Sequence, residues 1–447
     1  MSLDGAFLHI VTNELQPLVG ARVDKVYQPS REEIVVSLRT FRDGAKKLVL
    51  SANSVSARIN LTEAAFENPQ QPPMFCMLLR KHLGGGKLLA IRQDGLERIV
   101  QLDFECTNEI GDIVTNTLIA EIMGRHSNII LVRDGRVIDS IKRITDDISS
   151  VRRVLPGIQY EAPPRQDRLR LTDIQPQQVL DAVDGSPERL CKKLSSVLEG
   201  VSPILTRELA WYCAKDVDAV CAGLTDSAKD RLRFMLGRIK SSLDGGECCF
   251  TVVSEPGGRK KDFCFINIEQ YSTSMVVTHC DTANGLLDSY FASQDRSERT
   301  RQRAHDLLKL LMNSYERVSR KLELQKKELA ECSEREVFRV CGDLINANIW
   351  RLEKGQNVAK LEDFYTGEVR EIKLDPRLTP AQNAQKYYNE YRKLDTAEKK
   401  LTELIAKGGQ ELAYIDSVFD AVSRTDSESD LAEIRSELRE QGYLKGG

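Results

Sequence analysis

The sequence predicts an α+β protein in three parts: a mixed α/β N-terminal domain built on antiparallel strands, a small helical domain, and a long antiparallel coiled coil. Three observations predict it. Over the first 160 residues, short apolar runs rich in β-branched residues alternate with Gly, Asp and Asn. Around Glu199 to Pro203, apolar residues recur at helical spacing on both sides of a glycine turn. From position 308 a three-four alternation of apolar residues sets in, and it returns in a second arm after Pro380.

The elements follow in order. A helix is expected over Gly5 to Leu18, with Asp4 placed to cap it, and another over Pro73 to Leu83, stopped by Gly84-Gly85-Gly86. KVYQPSREEIVVSLRT, KKLVLSAN, KLLAIRQDGLERIVQLDF, TLIAEIM and SNIILVRDGRVIDSI read as strands. Asp134-Gly135 turns one hairpin, and Gly95 supplies the positive φ of another. LGGGKLL is not a phosphate loop, because that pattern needs Gly at 81 and Ser or Thr at 88, where Lys81 and Leu88 stand.

Pro156 to Asp173, rich in Pro and charge, reads as a domain linker. In the next segment the two helices joined at Glu199-Gly200-Val201-Ser202-Pro203 have the form of a helix-hairpin-helix, whose turn amides accept a phosphate, or equally of a plain αα-hairpin. Residues 248 to 280 return to strand patterning with a Pro-Gly-Gly turn. The heptad seam then takes Leu308, Leu311, Tyr315, Val318, Leu322, Gln325, Leu329, Cys332 and Glu336, and the second arm Tyr387, Tyr391, Leu394, Leu401, Ile405, Leu412, Ile415, Phe419 and Val422. If the first arm runs unbroken from Leu286 to Trp350, a rise of ~1.5 Å per residue makes a rod on the order of 90 Å. Gly, Pro and a short strand-like pair between the arms forbid one uninterrupted helix and favour an intramolecular hairpin over a dimerisation coiled coil, which the same heptads also fit. The expected boundaries are 1–170 for the N-terminal domain, 171–245 for the helical domain, and 246–447 for the rest, with strands over 246–283 and the coiled-coil hairpin over 284–440.

Composition narrows the function. With 41% hydrophobic and 29% charged residues, the chain has the makings of a soluble core. No run approaches the roughly 18 apolar residues of a membrane span, and the N-terminus lacks a signal-peptide pattern. Eleven cysteines without a CxxC pair suit free thiols in a reducing cytoplasm. A net charge of -3 excludes general nucleic-acid coating, so any RNA contact is local. His9, His82, His126, His279 and His305 form no metal-ligand spacing, and no nucleophile elbow is present, so neither an enzyme active site nor a metal or cofactor is expected.

EIMGRHSNIIL, residues 121 to 131, is the stretch that carries chemistry. Strand alternation places Glu121, Met123 and Arg125 on one face and Ile122 on the other, with Gly124 permitting a bulge. A carboxylate, an Arg fork, the His126 imidazole and the Asn128 amide presented together read nucleotide edges and phosphates. An internal salt-bridge cluster at a strand end accounts for the same residues.

SLDG near the start with EL following, EIMGRHSNIIL, GDLINAN at 342 to 348 and LDPRLTPAQNAQKYYNEY at 374 to 391 together resemble the NFACT family over essentially the whole chain. The resemblance implies an NFACT-N domain like the N-terminal domain of formamidopyrimidine DNA glycosylases, a helix-hairpin-helix domain and a coiled-coil middle domain. Members usually continue into an RNA-binding NFACT-R domain, which is not expected within a chain that ends at EQGYLKGG.

The implied function is cytoplasmic ribosome-associated quality control. Such factors bind a large ribosomal subunit obstructed by peptidyl-tRNA and recruit alanyl-tRNA for template-free alanine tailing, with bond formation left to the ribosome. One family tRNA site, an Asp-Arg pair, falls on Glu97-Arg98, where the acid is one carbon longer. The other falls on Glu121, Ile122 and Met123, which we extend to Arg125, His126 and Asn128. Asp4 joins them or only caps its helix. The middle domain is expected at the stalk base, with Arg296, Arg299, Arg301, Arg303 and Lys309 either on rRNA or on a solvated helix face. The competing readings are a glycosylase-like DNA-repair protein, disfavoured because Ser2-Leu3 rather than proline follows Met1 and no zinc cysteines exist, and a fibronectin-binding adhesin, disfavoured by the absence of an export signal.

Overall fold

The computed structural model describes residues 3–69, 71–149, 152–425 and 427–444. The chain divides into two compact units, one up to Ser297 and one from Glu298.

The first unit begins with α1 (Gly5–Leu15), whose N-terminus is capped as expected by Asp4, its Oδ1 accepting the Phe7 N–H at 2.7 Å. A nine-stranded antiparallel sheet follows: β1 (Arg22–Ser30), β2 (Glu33–Thr40), β3 (Gly44–Ser51), β4 (Arg58–Thr62), β5 (Lys87–Gln93), β6 (Ile99–Thr107), β7 (Ile113–Glu121), β8 (Asn128–Arg133) and β9 (Arg136–Ser140). Its order is β4-β3-β2-β1-β5-β6-β7-β8-β9, and β1 meets β5 through the pair Arg22↔Lys87. The β8–β9 turn takes left-handed values at Asp134 (φ 49°) and Gly135 (φ 73°), as an Asp-Gly hairpin requires. Helix α2 (Met74–Leu83) ends at Gly84, and α1 and α2 bury Phe7, Leu8, Phe75 and Leu79 in the main core.

The linker expectation fails for Pro156–Tyr160. Val137 N–H donates to Ile158 O (2.9 Å) and Tyr160 N–H to Gly135 O (2.7 Å), so this stretch pairs with β9 and closes a second core of Ile119, Ile130, Val132, Val137 and Val154. Charge and proline mark a solvent-facing segment; they do not mark a detached one.

The helical part comprises α3 (Pro176–Val183), α4 (Leu190–Val197), α5 (Pro203–Ala214) and α6 (Asp226–Leu243), with the α4–α5 turn where the sequence placed it. A three-stranded sheet, β11 (Lys260–Cys264), β10 (Phe250–Ser254) and β12 (Val276–Cys280), packs into the same core, where Phe7 meets Phe263 edge-on at 5.1 Å. Helix α7 spans Ala283–Cys332, and Glu14 caps its start: its carboxylate accepts from Ala283 N (2.8 Å), Asn284 N (2.9 Å) and Asn284 Nδ2 (2.7 Å).

In the second unit, α7 continues and is followed by α8 (Arg335–Ala347), the hairpin β13 (Val358–Glu362) and β14 (Val369–Lys373), α9 (Pro380–Arg424) and α10 (Glu428–Glu440). The first arm is therefore broken at 333–334 rather than continuous to Trp350; the Ser333 hydroxyl returns to Ala330 O at 2.6 Å, a local bond that competes with helix propagation. The arms run antiparallel. Gly408 lies against Leu322, Asp395 and Glu398 face Arg335, and Tyr388 hydrogen-bonds Asp343. Leu307, Leu311, Val318 and Leu322 are buried with Ile415, Val418 and Val422, and α10 adds Leu431 and Leu438. The seam anticipated at Leu311, Val318 and Leu322 is thus buried, while Glu336, beyond the break, is exposed. Thr379 and Gln382 form a capping box at the start of α9.

Candidate nucleic-acid interface

Two turns at one end of the large sheet hold the candidate residues. The first joins β5 to β6. Gly95 adopts φ 57°, and its neighbours explain why it carries no side chain: an added Cβ would stand 2.7 Å from the Arg170 guanidinium and 2.9 Å from Glu199 Oε2. Glu199 is buried and binds the turn, accepting from Leu96 N (3.1 Å) and Arg170 Nε (2.8 Å). Glu97 and Arg98 follow, both half-buried.

Burial pushes the Glu97 carboxyl up, and the like charge of Glu199 pushes it further, against Arg165 and Arg170. Burial lowers Arg98, which Asp4 and Glu97 partly offset. Asp4 is raised by burial, while the Ser202 hydroxyl and amide, the Phe7 amide and the Arg98 charge favour its ionised form. Asp4, Glu97 and Arg98 therefore act on one another's charge.

Of the two readings of the α4–α5 turn, the same contacts favour the plain hairpin over a phosphate site. Ala6 N–H donates to Gly200 O at 2.8 Å, and Cβ atoms placed on Gly5 and Gly200 would lie 1.6 and 2.5 Å from Leu96 O. Ser202, the cap of α5, is turned to Asp4. The turn is occupied by the protein's own backbone and carboxylate.

The second turn joins β7 to β8. Its expected strand geometry stops at Glu121; Gly124 takes φ 58° and residues Gly124–His126 form a 3-10 turn, closed by Met123 N–H donating to Ser127 Oγ at 2.8 Å. The presentation of Glu121, Ile122 and Asn128 to a ligand is corrected accordingly. The Glu121 carboxylate is buried between both terminal nitrogens of Arg152 and the Tyr160 hydroxyl (2.8 Å), and the Arg152 guanidinium lies 5.3 Å over the Tyr160 ring. Burial and this carboxylate push the Tyr160 hydroxyl well up. Ile122 is buried, and its N–H donates to Arg98 O at 2.8 Å, tying the two turns together. Asn128 is buried too: its Nδ2 donates to Lys142 O (2.8 Å), and its Oδ1 accepts from Lys142 N and Ile129 N.

What faces outward is Arg125 and His126, both exposed, with Met123 half-buried beside them. Arg125 Nε donates to His126 Nε2 at 3.0 Å, which aligns a planar cation with an imidazole. Such a pair stacks on bases and contacts phosphate without a metal. Among the described residues no cluster of His, Cys, Asp or Glu could hold a metal ion, and no helix is long and apolar enough to cross a membrane.

Arg152, Tyr160, Arg170 and Glu199 were not anticipated at the site. The only sequence signal was an unpaired Glu121 in a strand-like run, which demanded a cation from somewhere in the fold. In the second unit, the other two motifs meet each other. Tyr388 O–H donates to Asp343 Oδ1 at 2.6 Å, and its ring covers Gly342 with no room for a Cβ. Nearby, Phe338, Lys373, Asp375, Lys386 and Tyr387 line a cleft of about 470 Å³. Of the arginines around the start of the first arm, Arg303 is paired with Glu428.

The profile for NFACT N-terminal and middle domains matches residues 4–446. The chain belongs to the NFACT family. Within the family it is 34% identical over 448 residues to the Rqc2 homolog RqcH of Streptococcus suis, and 32% over 457 residues to that of Bacillus subtilis. Each alignment covers all of this chain and 76% of the relative. Among solved structures, the fibrinogen binding protein from Staphylococcus aureus superposes with a TM-score of 0.54 at 31% identity, covering 65% of this chain and 99% of that one. The site described above thus stands on an NFACT scaffold.

Proposed function

We propose that this chain is a ribosome-associated quality-control factor that holds tRNA on its N-terminal domain and the large ribosomal subunit through its middle domain, recruiting alanyl-tRNA for template-free alanine tailing of stalled chains. The observation that carries the reading is the pair of tied turns, which present Arg125 and His126 beside the Asp4–Arg98–Glu97 cluster. In this reading Arg125, His126 and Met123 contact the tRNA, Arg98 supplies charge at the edge of the contact, and Glu121, Ile122 and Asn128 hold the turn in shape. Residues 1–170 act as the tRNA-reading domain, 171–245 as its helical support, and 246–447 as the ribosome-anchoring part. The chain binds and positions in the cytoplasm, and the ribosome performs the chemistry.

The test is sequencing of RNA that co-purifies with large subunits pulled down by the chain. Arg125→Ala with His126→Ala is expected to lower tRNA recovery about tenfold or more, since one stacked or charged contact contributes about 1–3 kcal/mol. Because both side chains are exposed, stability should stay within about 0.5 kcal/mol. Unchanged tRNA recovery at unchanged subunit binding would refute the assignment.

A further inference from the structure

The opposite end of the sheet gathers exposed cations beside an exposed aromatic ring. Register places Arg39 directly across from Arg22, and Arg22 directly across from Lys87. All three side chains are exposed. Like charges directly opposite one another in a sheet are destabilising. Asp24 takes Arg39 at 3.1 Å, Glu105 stands across from Lys87, and Arg22 Nη1 donates to Gly85 O at 3.1 Å, so all three guanidinium and ammonium groups stay on the surface with room for a phosphate. On the same face, Lys25 and Lys47 flank Ser37 from either side. The β2–β3 hairpin then ends in Phe41, whose side chain is fully exposed, followed by exposed Arg42 and Asp43. The tip itself is ordered: Thr40 Oγ1 accepts from Asp43 N (2.9 Å) and donates to Gly44 O (3.1 Å).

A row of cations across three strands with an uncovered aromatic ring at its end is the pattern of a contact to single-stranded RNA, in which phosphates meet the cations and a base stacks on the ring. An RNA strand lying across this end would give phosphates to the exposed Arg22, Arg39 and Lys87 and a stacking partner to the Phe41 ring. We propose that this end of the sheet is a second RNA contact, taking phosphates of large-subunit ribosomal RNA along Arg39, Arg22 and Lys87 and one unpaired base against Phe41.

This inference rests on the ribosomal reading above and adds a site to it. We take the source to be ribosomal RNA because the tRNA turn lies at the other end of β2, and a crosslink from position 41 separates the two sources. The Glu33 end of β2 lies by the tRNA turn, where Lys142 links Glu32 (2.8 Å) to the backbone held by Asn128. Eight residues of β2 at ~3.3 Å each set the Thr40 end on the order of 25 Å away.

The full chain is compared with Phe41→Ala/Arg42→Gln and with Arg22→Gln by co-sedimentation with peptidyl-tRNA-obstructed large subunits over a salt series. A photo-crosslinking amino acid at position 41 identifies what the tip touches. We expect the double variant to bind subunits about tenfold more weakly, and Arg22→Gln to reduce the salt dependence by about one released counterion. Its melting temperature should change little, because Arg22 is exposed and loses only its surface bond to Gly85 O. The crosslink should fall on ribosomal RNA, with tRNA recovery per bound subunit unchanged. Unaltered subunit affinity and salt slope, or a crosslink to tRNA or to a ribosomal protein, would overturn the proposal while leaving the tRNA turn intact. Failure of the unmodified chain to bind subunits would overturn both readings.

Discussion

With its Arg152 partner removed, the Glu121 carboxylate would keep, among the described residues, the Tyr160 hydroxyl as its side-chain donor. Breaking one side of a buried ion pair costs about 3–5 kcal/mol. Arg152→Ala is accordingly expected to lose about 3 kcal/mol in urea unfolding, and to reduce tRNA recovery through the displaced turn rather than through a lost contact. Glu121→Gln should cost less, because the amide oxygen can still accept from Arg152. An equal effect of the two would show that the pair contributes nothing beyond shape. The residues of this turn were legible as a cluster but not in direction. Strand alternation carried Glu121, Met123 and Arg125 to one face, yet the strand stops at Glu121, and Gly124 at φ 58° swings Arg125 outward. The partners of Glu121 lie 31 and 39 positions downstream, and no local pattern encodes a pairing at that range.

Strand β11 contains an element-level device of a different kind. Asp262 is buried, and burial pushes its carboxyl up to about 6, although the Phe263 amide donates to it. The folded strand therefore keeps a proton that the unfolded chain loses near pH 4. Folding takes up a proton between about pH 4 and 6, so stability falls as pH rises through that window and stays lower above it. Asp262→Asn should remove this slope and raise stability at pH 7 by on the order of 2 kcal/mol; a pH series of thermal melts reads both. If the variant is no more stable at pH 7 than at pH 4 relative to the parent, the carboxyl is not protonated in the fold. Elements themselves were well legible where the signal is local. The Gly95 and Asp134-Gly135 turns, the Asp4 cap, the start of α9 at Pro380 and the heptad seam at Leu311, Val318 and Leu322 stand where period and turn chemistry put them. The misread and undecided pieces depend on tertiary contacts. Pro156–Tyr160 is fixed by β9, and the choice between two readings of the α4–α5 turn, open in the sequence, is made by its packing on Gly5 and Leu96.

Within the first unit, distant parts of the chain complete one another. Glu14 caps α7 from α1, Asn284 Oδ1 accepts the Leu61 N–H at 2.7 Å, and Arg58 is paired with Asp295, both buried, with its guanidinium 5.0 Å over Phe291. A fragment ending at residue 281 loses all four interactions and leaves Arg58 uncompensated, whereas one ending at 297 keeps them. The shorter fragment is expected to melt at least 10 °C lower; equal melting temperatures would mean that the sheet is complete without the start of α7. The three-part division read from the sequence gave no hint of this dependence, because an ion pair between positions 58 and 295 leaves no periodic trace.

That dependence also has a timescale. Arg58 and Asp295 are 237 positions apart, and at ~5–20 residues per second of synthesis the guanidinium waits on the order of 10–50 s for its carboxylate to be made. Through that interval the edge strand β4 has no helix end to bond Leu61, and the earliest part of the polypeptide persists as a half-finished intermediate open to chaperones and proteases. Yield of this protein in cells should then follow translation speed across the first three hundred codons more closely than it follows the stability of the finished fold.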